Sequence, residues 1–462
     1  MWIKTVKKFV HEWNVRMLGN TEEQKMKKFF YMFLILVIGL SSCGRGGTWQ
    51  GEQEPAVLVL AVFGQDSYLQ KQVDLYNQLH EDYRIEIEQY VRSEKPEEDG
   101  VLRLQREIVS GNGPDLIDFG NGYTTSDIVG KYTEDLFAYL GEEGRQACFD
   151  NILSAFSYEE GLYAIPLGFI LKSFVGRAEN LGGRSSWTIG EMMGCYREQE
   201  KERLLYPGAF KMDVFGTILA GSMEHYIDWE AGKCAFDGEE FRKVLEFCNS
   251  FSDHLEIGED FSVKNTFLED KALLMPVRIG TVYDICEEEM IFDGQEVAFI
   301  GFPVESGSGT MIESCGAVLA LSGNSKNKEA AWEFIHQCLD EPAQRELPFG
   351  FPVCRSVLEE QLADAMEAEY GTDENGREHP VVKHQVIMEG EEPLDIYSIT
   401  QKQADQLLGL VKGACACSQT DHRIYQIFLD EAASYFSGAK SLEETADVIQ
   451  ARVSMYVAET IK

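Results

Sequence analysis

Residues 57–63 read VLVLAVF, an unbroken apolar run. A run of that length and content predicts a strand buried on both faces, as parallel strands are. Outward from it, Leu69, Val73, Tyr76 and Leu79 share one side of a helix. Ile85, Ile87 and Gln89 then alternate with Glu86 and Glu88, which predicts a second strand. A helix through Leu104 and Ile108 should end at Gly111-Asn112-Gly113, with Pro114 as a stop signal. Leu116-Ile117-Asp118-Phe119 gives a third short strand. Strand, helix, strand, helix, strand in that order predicts an open α/β sheet.

The alternation continues along the chain. Residues 170–175, 272–277, 297–302 and 318–321 are short apolar strands by composition, and Trp187-Thr188 opens a helix through Met192 and Met193. Residues 241–251 are helical by spacing. Asn324-Ser325-Lys326-Asn327 is expected to cap a helix that turns Ala331, Phe334, Ile335 and Cys338 inward. Ile424, Phe428, Ala432 and Tyr435 share a face of a helix ended by Gly438. Ser441-Leu442-Glu443-Glu444 is a capping box for a last helix with Leu442, Ile449, Val453 and Tyr456 inward. The polar stretch 371–380 reads as a surface loop, and no internal repeat is evident.

A chain of 462 residues is too long for one ordinary core and points to two or three lobes. Its formal net charge of −37 repels phosphate backbones, which argues against a nucleic-acid partner. Residues 29–40, FFYMFLILVIGL, are the strongest apolar run, yet too short to span a bilayer as a helix. Lys27 and Lys28 precede this run and Ser41-Ser42-Cys43 follow it, so it reads as an export signal. Met26 is a natural start for that signal, as Met1 is for the chain given. Residues 44–55 are Gly-rich and polar, and read as a tether.

Eleven cysteines are present, with no CxxC pair; Cys415-Ala416-Cys417 is the one close pair and has poor zinc spacing. Several sit in apolar helical patterns, Cys248 and Cys338 among them, where buried free thiols are expected. The eight histidines are dispersed, and no metal site or cofactor is expected from their spacing. Gly-x-Ser-x-Gly, His-Glu-x-x-His and Walker sequences are absent, which argues against an enzyme. Gly307-Ser308-Gly309 is too short for a phosphate loop and reads as a hairpin tip. Of six tryptophans, Trp187 and Trp332 read as core and Trp229 as the one remaining candidate for stacking on a sugar.

Three stretches together resemble the extracellular solute-binding proteins of ABC importers, the group that includes sugar binders. They are GNGPDLIDFGNGYTTSDIVGKYTEDLFAYL at 111–140; GFPVESGSGT, SGNSKNKEAAWEFIHQCL and FGFPVCRS within 301–356; and a third within 428–459 that includes YFSGAKSLEETADVIQARVSMYVAE. The string Leu40-Ser41-Ser42-Cys43 resembles a bacterial lipoprotein signal, with Cys43 as the lipidated (palmitate-bearing) residue. The resemblance implies two α/β lobes of the periplasmic-binding-protein kind, joined by a hinge that the chain crosses several times. Its implied limits are 1–42 for the upstream segment and signal, 43–55 for the tether, 56–166 with 302–357 for lobe one, and 167–301 with 358–462 for lobe two. Pro166-Leu167-Gly168 would be the first crossing. It further implies a monomer on the extracellular face of the cytoplasmic membrane that closes on a solute, a carbohydrate first of all, and docks on permease subunits. A ligand-binding partner of a membrane sensor, or a receptor for a peptide or other non-sugar solute, is the alternative.

Ligands of open α/β sheets bind beyond the carboxyl ends of the strands. Those ends nominate Gln65, Asp66 and Tyr68 after the first strand, and Asn121 and Tyr123 after the third. Phe169 lies at the crossing, and Arg278 and Tyr283 follow the 272–277 strand. Amide, carboxylate and guanidinium groups make the paired hydrogen bonds polyols require, and aromatic rings offer a flat apolar face.

Overall fold

The computed structural model describes residues 54–462 apart from 92, 94, 96–98, 121–127, 158–160, 207–208, 230, 255–262, 293, 374, 388–392, 415, 418–421 and 461–462. All of them but Glu54 belong to one unit, Pro55–Lys462. Cys43, Asn121 and Tyr123 lie outside the described residues. The first half-lobe is built as the sequence predicts. Strand β1 (Ala56–Val62) leads to helix α1 (Ser67–Leu79), β2 (Tyr83–Gln89), helix α2 (Gly100–Val109) and β3 (Leu116–Asp118). β1 runs parallel to both β2 and β3, with Leu60 opposite Leu116 and Ile87 on either side. Side chains alternate across the pleat. Leu58, Leu60 and Val62 join the core under α1, while Ala61 faces Leu104 and Ile108 of α2. Leu79 shares the inward face of α1 but lies 66% exposed on its last turn, and Gln72 and Tyr68 are buried instead.

Two strands then carry the sheet onward. β4 (Ile165–Arg177) has 13 residues, twice the run legible in the sequence, and contains Pro166, Leu167 and Gly168. After helix α3 (Ile189–Gln199) come β5 (Arg203–Leu205), helix α4 (Glu239–Asn249) and β6 (Ala272–Ile279). Helix α5 (Asp284–Ile291) and β7 (Val297–Phe299) follow. β8 (Met311–Leu321) is likewise longer than its apolar half. The sheet order is β2-β1-β3-β8-β4-β6-β5, with β8 antiparallel to β3 and β4, and β6 antiparallel to β4 and parallel to β5. Thus β4 and β8 link a parallel half to a mixed half.

Helix α6 (Lys328–Leu339) covers the α1 side of the first half, where Tyr76 and Phe334 meet edge to face at 5.7 Å. Its expected cap is built differently: the Asn327 side chain makes no cap bond, while Ser325 Oγ accepts from Asn327 N and donates to Asp115 Oδ1. Helix α7 (Arg355–Met366) follows. The stretch expected as a loop forms a hairpin, Tyr370–Thr372 with Glu378–Pro380, because Asp373 Oδ1 accepts from Asn375 N and Arg377 N across the turn. Helix α8 (Gln401–Gly413) buries Leu407 and Val411 in the same core as Leu153 and Phe169, and Asn151 donates to the carbonyls of Val411 and Ala414. Residues from both expected lobes therefore share that core.

Helices α9 (His422–Phe436) and α10 (Leu442–Thr460) close a separate core with α3 and α4, in which Phe236, Phe241 and Phe428 meet at 5.0–6.1 Å. The Ser441–Glu444 capping box is formed. Trp187 is core, as expected, and its indole donates to Gly301 O. All eight described cysteines outside 415–417 are unpaired thiols. No helix among the described residues is long and apolar enough to cross a membrane.

Candidate functional site

The site is organised by a break in β8. Its pairing with β4 slips between Cys315 and Val318, and Gly316 inside the break has φ +72° and is exposed in a strand whose other residues are buried or half-buried. An L side chain is disfavoured at that φ, so the bulge is a glycine position. Gly120 lies against it: a Cβ there would sit 2.5 Å from Gly316 O. Asp118 holds the two segments together. Its Oδ1 accepts from Gly120 N at 2.8 Å and Val318 N at 2.9 Å. Burial pushes its pKa up to about 6, against those two hydrogen bonds, which favour the charged form.

Asp66, in the turn between β1 and α1, reaches the same bulge. Its Oδ1 caps α1 by accepting from Tyr68 N and Leu69 N, and a Cβ on Gly316 would lie 3.9 Å from its Oδ2. On the other side, Glu313 takes both Lys172 of β4, at 3.2 Å, and Arg278 of β6. Cys315 stands between these groups. Burial chiefly raises its thiol pKa, Glu313 adds to that, Arg278 opposes it, and Asp66 contributes from the far side. Phe349, 53% exposed, lies over Gly280, and its carbonyl accepts from Cys315 Sγ at 3.5 Å. The result is an exposed glycine bulge flanked by one carboxylate from the β1–α1 turn, an ion-paired triad from β4, β6 and β8, and one open aromatic face. Such a set can take hydrogen bonds and a stacking contact from a small polar molecule.

The structure gathers Asp66 and Arg278 among the residues nominated from the sequence. Gln65 is exposed beside Asp66. Tyr68 is a correction: it is buried and its hydroxyl donates to Ala343 O at 3.0 Å, so the ring locks α1 to the 341–345 helix. Phe169 is also core, packed on Phe149 and Phe351, because its position on β4 points into the sheet's covered face. Tyr283 is carried away from the bulge and stacks on His384 at 5.3 Å. Trp229 packs against the second core. Lys172, Glu313 and Phe349 were missed. A lone Lys in IPLGFILKSFVG and a lone Glu in MIESCG were the available signals, since charge inside an apolar strand demands an outlet.

No family profile matches the sequence, and no curated protein matches it. Solved structures do match. The sugar-binding protein MalE from Xanthomonas citri is 14% identical with a TM-score of 0.54, over 87% of this chain and 98% of that one. An extracellular solute-binding protein of family 1 from Alicyclobacillus acidocaldarius is 13% identical with a TM-score of 0.51, over 88% and 99%. A de novo designed cysteine esterase, 13% identical with a TM-score of 0.55 over 89% and 100%, shares the same architecture, so the likeness speaks to fold and not to chemistry. The chain has the two-lobe α/β fold of the extracellular solute-binding proteins.

Proposed function

We propose that this protein is the extracellular solute-binding component of an ABC importer. In this reading it is lipid-anchored through Cys43, acts as a monomer, and closes its two lobes on a small solute, a carbohydrate first of all. The observation that carries the reading is the glycine bulge of β8. There, polar groups from the β1–α1 turn, β4, β6 and β8 converge beside an exposed ring on the strands that link the two halves of the sheet. Rotation about β4 and β8 would bring Asp66 and Arg278 toward a common ligand, and the ligand's greater affinity for the closed form would supply the shift. The division of the chain at 166/167, 301/302 and 357/358 belongs to the same proposal.

Thermal melts of the purified chain against mono- and oligosaccharides, with amino acids and peptides as controls, test it. A ligand at 100 times its dissociation constant adds about 2.7 kcal/mol, a shift of several degrees. A shift with one saccharide class that Arg278→Ala abolishes supports the reading. A shift with peptides alone would redirect it to a peptide receptor, and a ligand whose affinity Arg278→Ala and Asp66→Ser both leave unchanged would sink the site. Serine is chosen at position 66 because it retains the helix cap. Cys43→Ser should release the protein from membranes, and retention would count against lipidation.

A further inference from the structure

Two cysteines from distant parts of the chain face each other across the backbone. Cys148 follows the helix Phe137–Ala147, Cys354 precedes α7, and the two form an isolated antiparallel bridge. Among the described residues it is the one backbone pairing whose two members are both cysteine. Both residues are buried, and both carry free thiols.

The hydrogen bonds decide which kind of pair this is. Phe149 N donates to Val353 O at 3.3 Å, between the residues next to the pair. The N–H groups of the cysteines go elsewhere, Cys148 N to Arg145 O at 3.2 Å and Cys354 N to Gln344 Oε1 at 3.2 Å. Cys148 O accepts from Arg355 Nη2 at 3.1 Å. The cysteines are therefore a non-hydrogen-bonded antiparallel pair. In that relation Cα atoms stand about 4.5 Å apart and side chains are at their closest. A disulfide bridges Cα atoms about 4.4–6.8 Å apart. The Cys354 thiol donates to Ser356 Oγ at 3.2 Å, since the Ser356 hydroxyl is itself given to Glu341 at 2.7 Å. Turning the sulfur to Cys148 gives up only that weak contact.

We propose that Cys148 and Cys354 are joined by a disulfide in the exported protein. The pairing rests on geometry; only the supply of an oxidant rests on the proposed extracellular location, where disulfides persist. The Cys148 thiolate attacks the disulfide of a small thiol compound or of an oxidoreductase and displaces one thiolate. The Cys354 thiolate then attacks the Cys148 sulfur of that mixed disulfide and displaces the second. Two protein thiols are oxidised, one disulfide is reduced to two thiols, and the two protein protons pass to the departing thiolates. Burial chiefly pushes the Cys148 thiol up to about 12, with Cys354 adding to that and Arg355 opposing it. The exchange therefore belongs to the folding chain, before the thiol is packed. Phe351 and Pro352 pair with Phe169 and Gly168 of β4, and Gln344 binds both Cys354 N and Leu167 O. The bond would anchor this support of the crossing to the core at Phe149 and Leu153.

The test refolds the reduced, unfolded chain in a mixture of reduced and oxidised glutathione, blocks it with N-ethylmaleimide and digests it without reductant. A peptide pair linking Cys148 to Cys354 is expected, with Cys248 and Cys338 recovered alkylated. Recovery of Cys148 and Cys354 both alkylated, or of either linked to another cysteine, overturns the proposal. The oxidised chain should melt a few degrees above the same chain refolded in reductant, as a bridge closing a long loop implies. Cys148→Ala/Cys354→Ala should abolish that difference and Cys248→Ala should keep it; a difference that survives without the pair overturns the stapling role. Should the double variant fail to fold, Cys354→Ser takes its place, and Cys148 must then be recovered alkylated. None of these readouts needs a solute. Linkage without any saccharide shift counts against the transport reading alone, and a saccharide shift without linkage against the disulfide alone.

Discussion

The two ends of β8 are built on opposite terms. Toward Leu321 the strand is sealed: Ala317 to Leu321 are buried, β3 pairs alongside, and the buried carboxylate of Asp118 is satisfied by two backbone N–H groups. Toward Met311 the strand keeps charge at its surface, with Glu313 shared between Lys172 and Arg278, both partly or largely exposed. The bulge at Gly316 separates the two. A sealed end fixes the position of the bulge, and the open end keeps its charged side chains at the surface. Buried carboxylates repeat the contrast. Asp118 is paired, whereas Glu288 of α5 is buried with Oε2 lacking a partner, and its pKa is pushed up to about 8 by desolvation, then by Glu287 and Asp284.

The most damaging way to break the sealed end is Asp118→Ala. It leaves two buried N–H groups unpaired, at about 1–3 kcal/mol each, so stability by chemical denaturation should fall by about 2–6 kcal/mol. Asp118→Asn keeps the Oδ1 acceptor and should lose much less; an equal loss would show that charge, not hydrogen bonding, holds the segment.

Glu288→Gln sharpens the carboxylate contrast. The folded-state pKa of Glu288 lies above its ordinary value of 4.5, so the folded chain holds that proton more tightly. The resulting stability is complete below about pH 4.5 and is lost as pH rises through about 8. The variant should flatten the decline over that window, with a gain at pH 9 on the order of 1–3 kcal/mol by chemical denaturation. An unchanged slope would mean Glu288 reaches water in the native state.

Gly316→Ala tests the bulge itself. The space around the position is open and only φ resists, so a loss of about 1 kcal/mol is expected. A loss much larger than that would mean the bulge is packed from the site side as well.

Arg278→Ala should be the mildest for stability. Its partner Glu313 keeps Lys172, and exposed pairs contribute about 0–1 kcal/mol. Under the proposed function its effect falls on ligand affinity, and a large drop in Tm would recast Arg278 as structural.

Much of this was legible because it depends on local periodicity. The run Val57–Phe63, the alternation at Ile85–Gln89 and the Ser441–Glu444 box each match an observed element, since neighbours in sequence set strand pleat and helix cap. The site was half legible. Strand ends nominated Asp66 and Arg278, which the structure places beside the bulge, but no local rule says which way a residue at a strand end turns. Tyr68 and Phe169 went inward because Ala343, Phe149 and Phe351, far away in sequence, were there to receive them.

By itself the sequence determined the α/β class, the order of the first five elements, the terminal helices and the strand ends where polar residues collect. These follow from hydrophobic period and turn chemistry, which act over a few residues. Tertiary structure alone decided the length of β4 and β8, the register slip at Gly316 and the meeting of Lys172, Arg278 and Glu313. It also set Cys148 opposite Cys354. Each of those needs partners 35 to more than 100 residues apart, and only the assembled sheet and its packed helices bring such distant groups within range of one another.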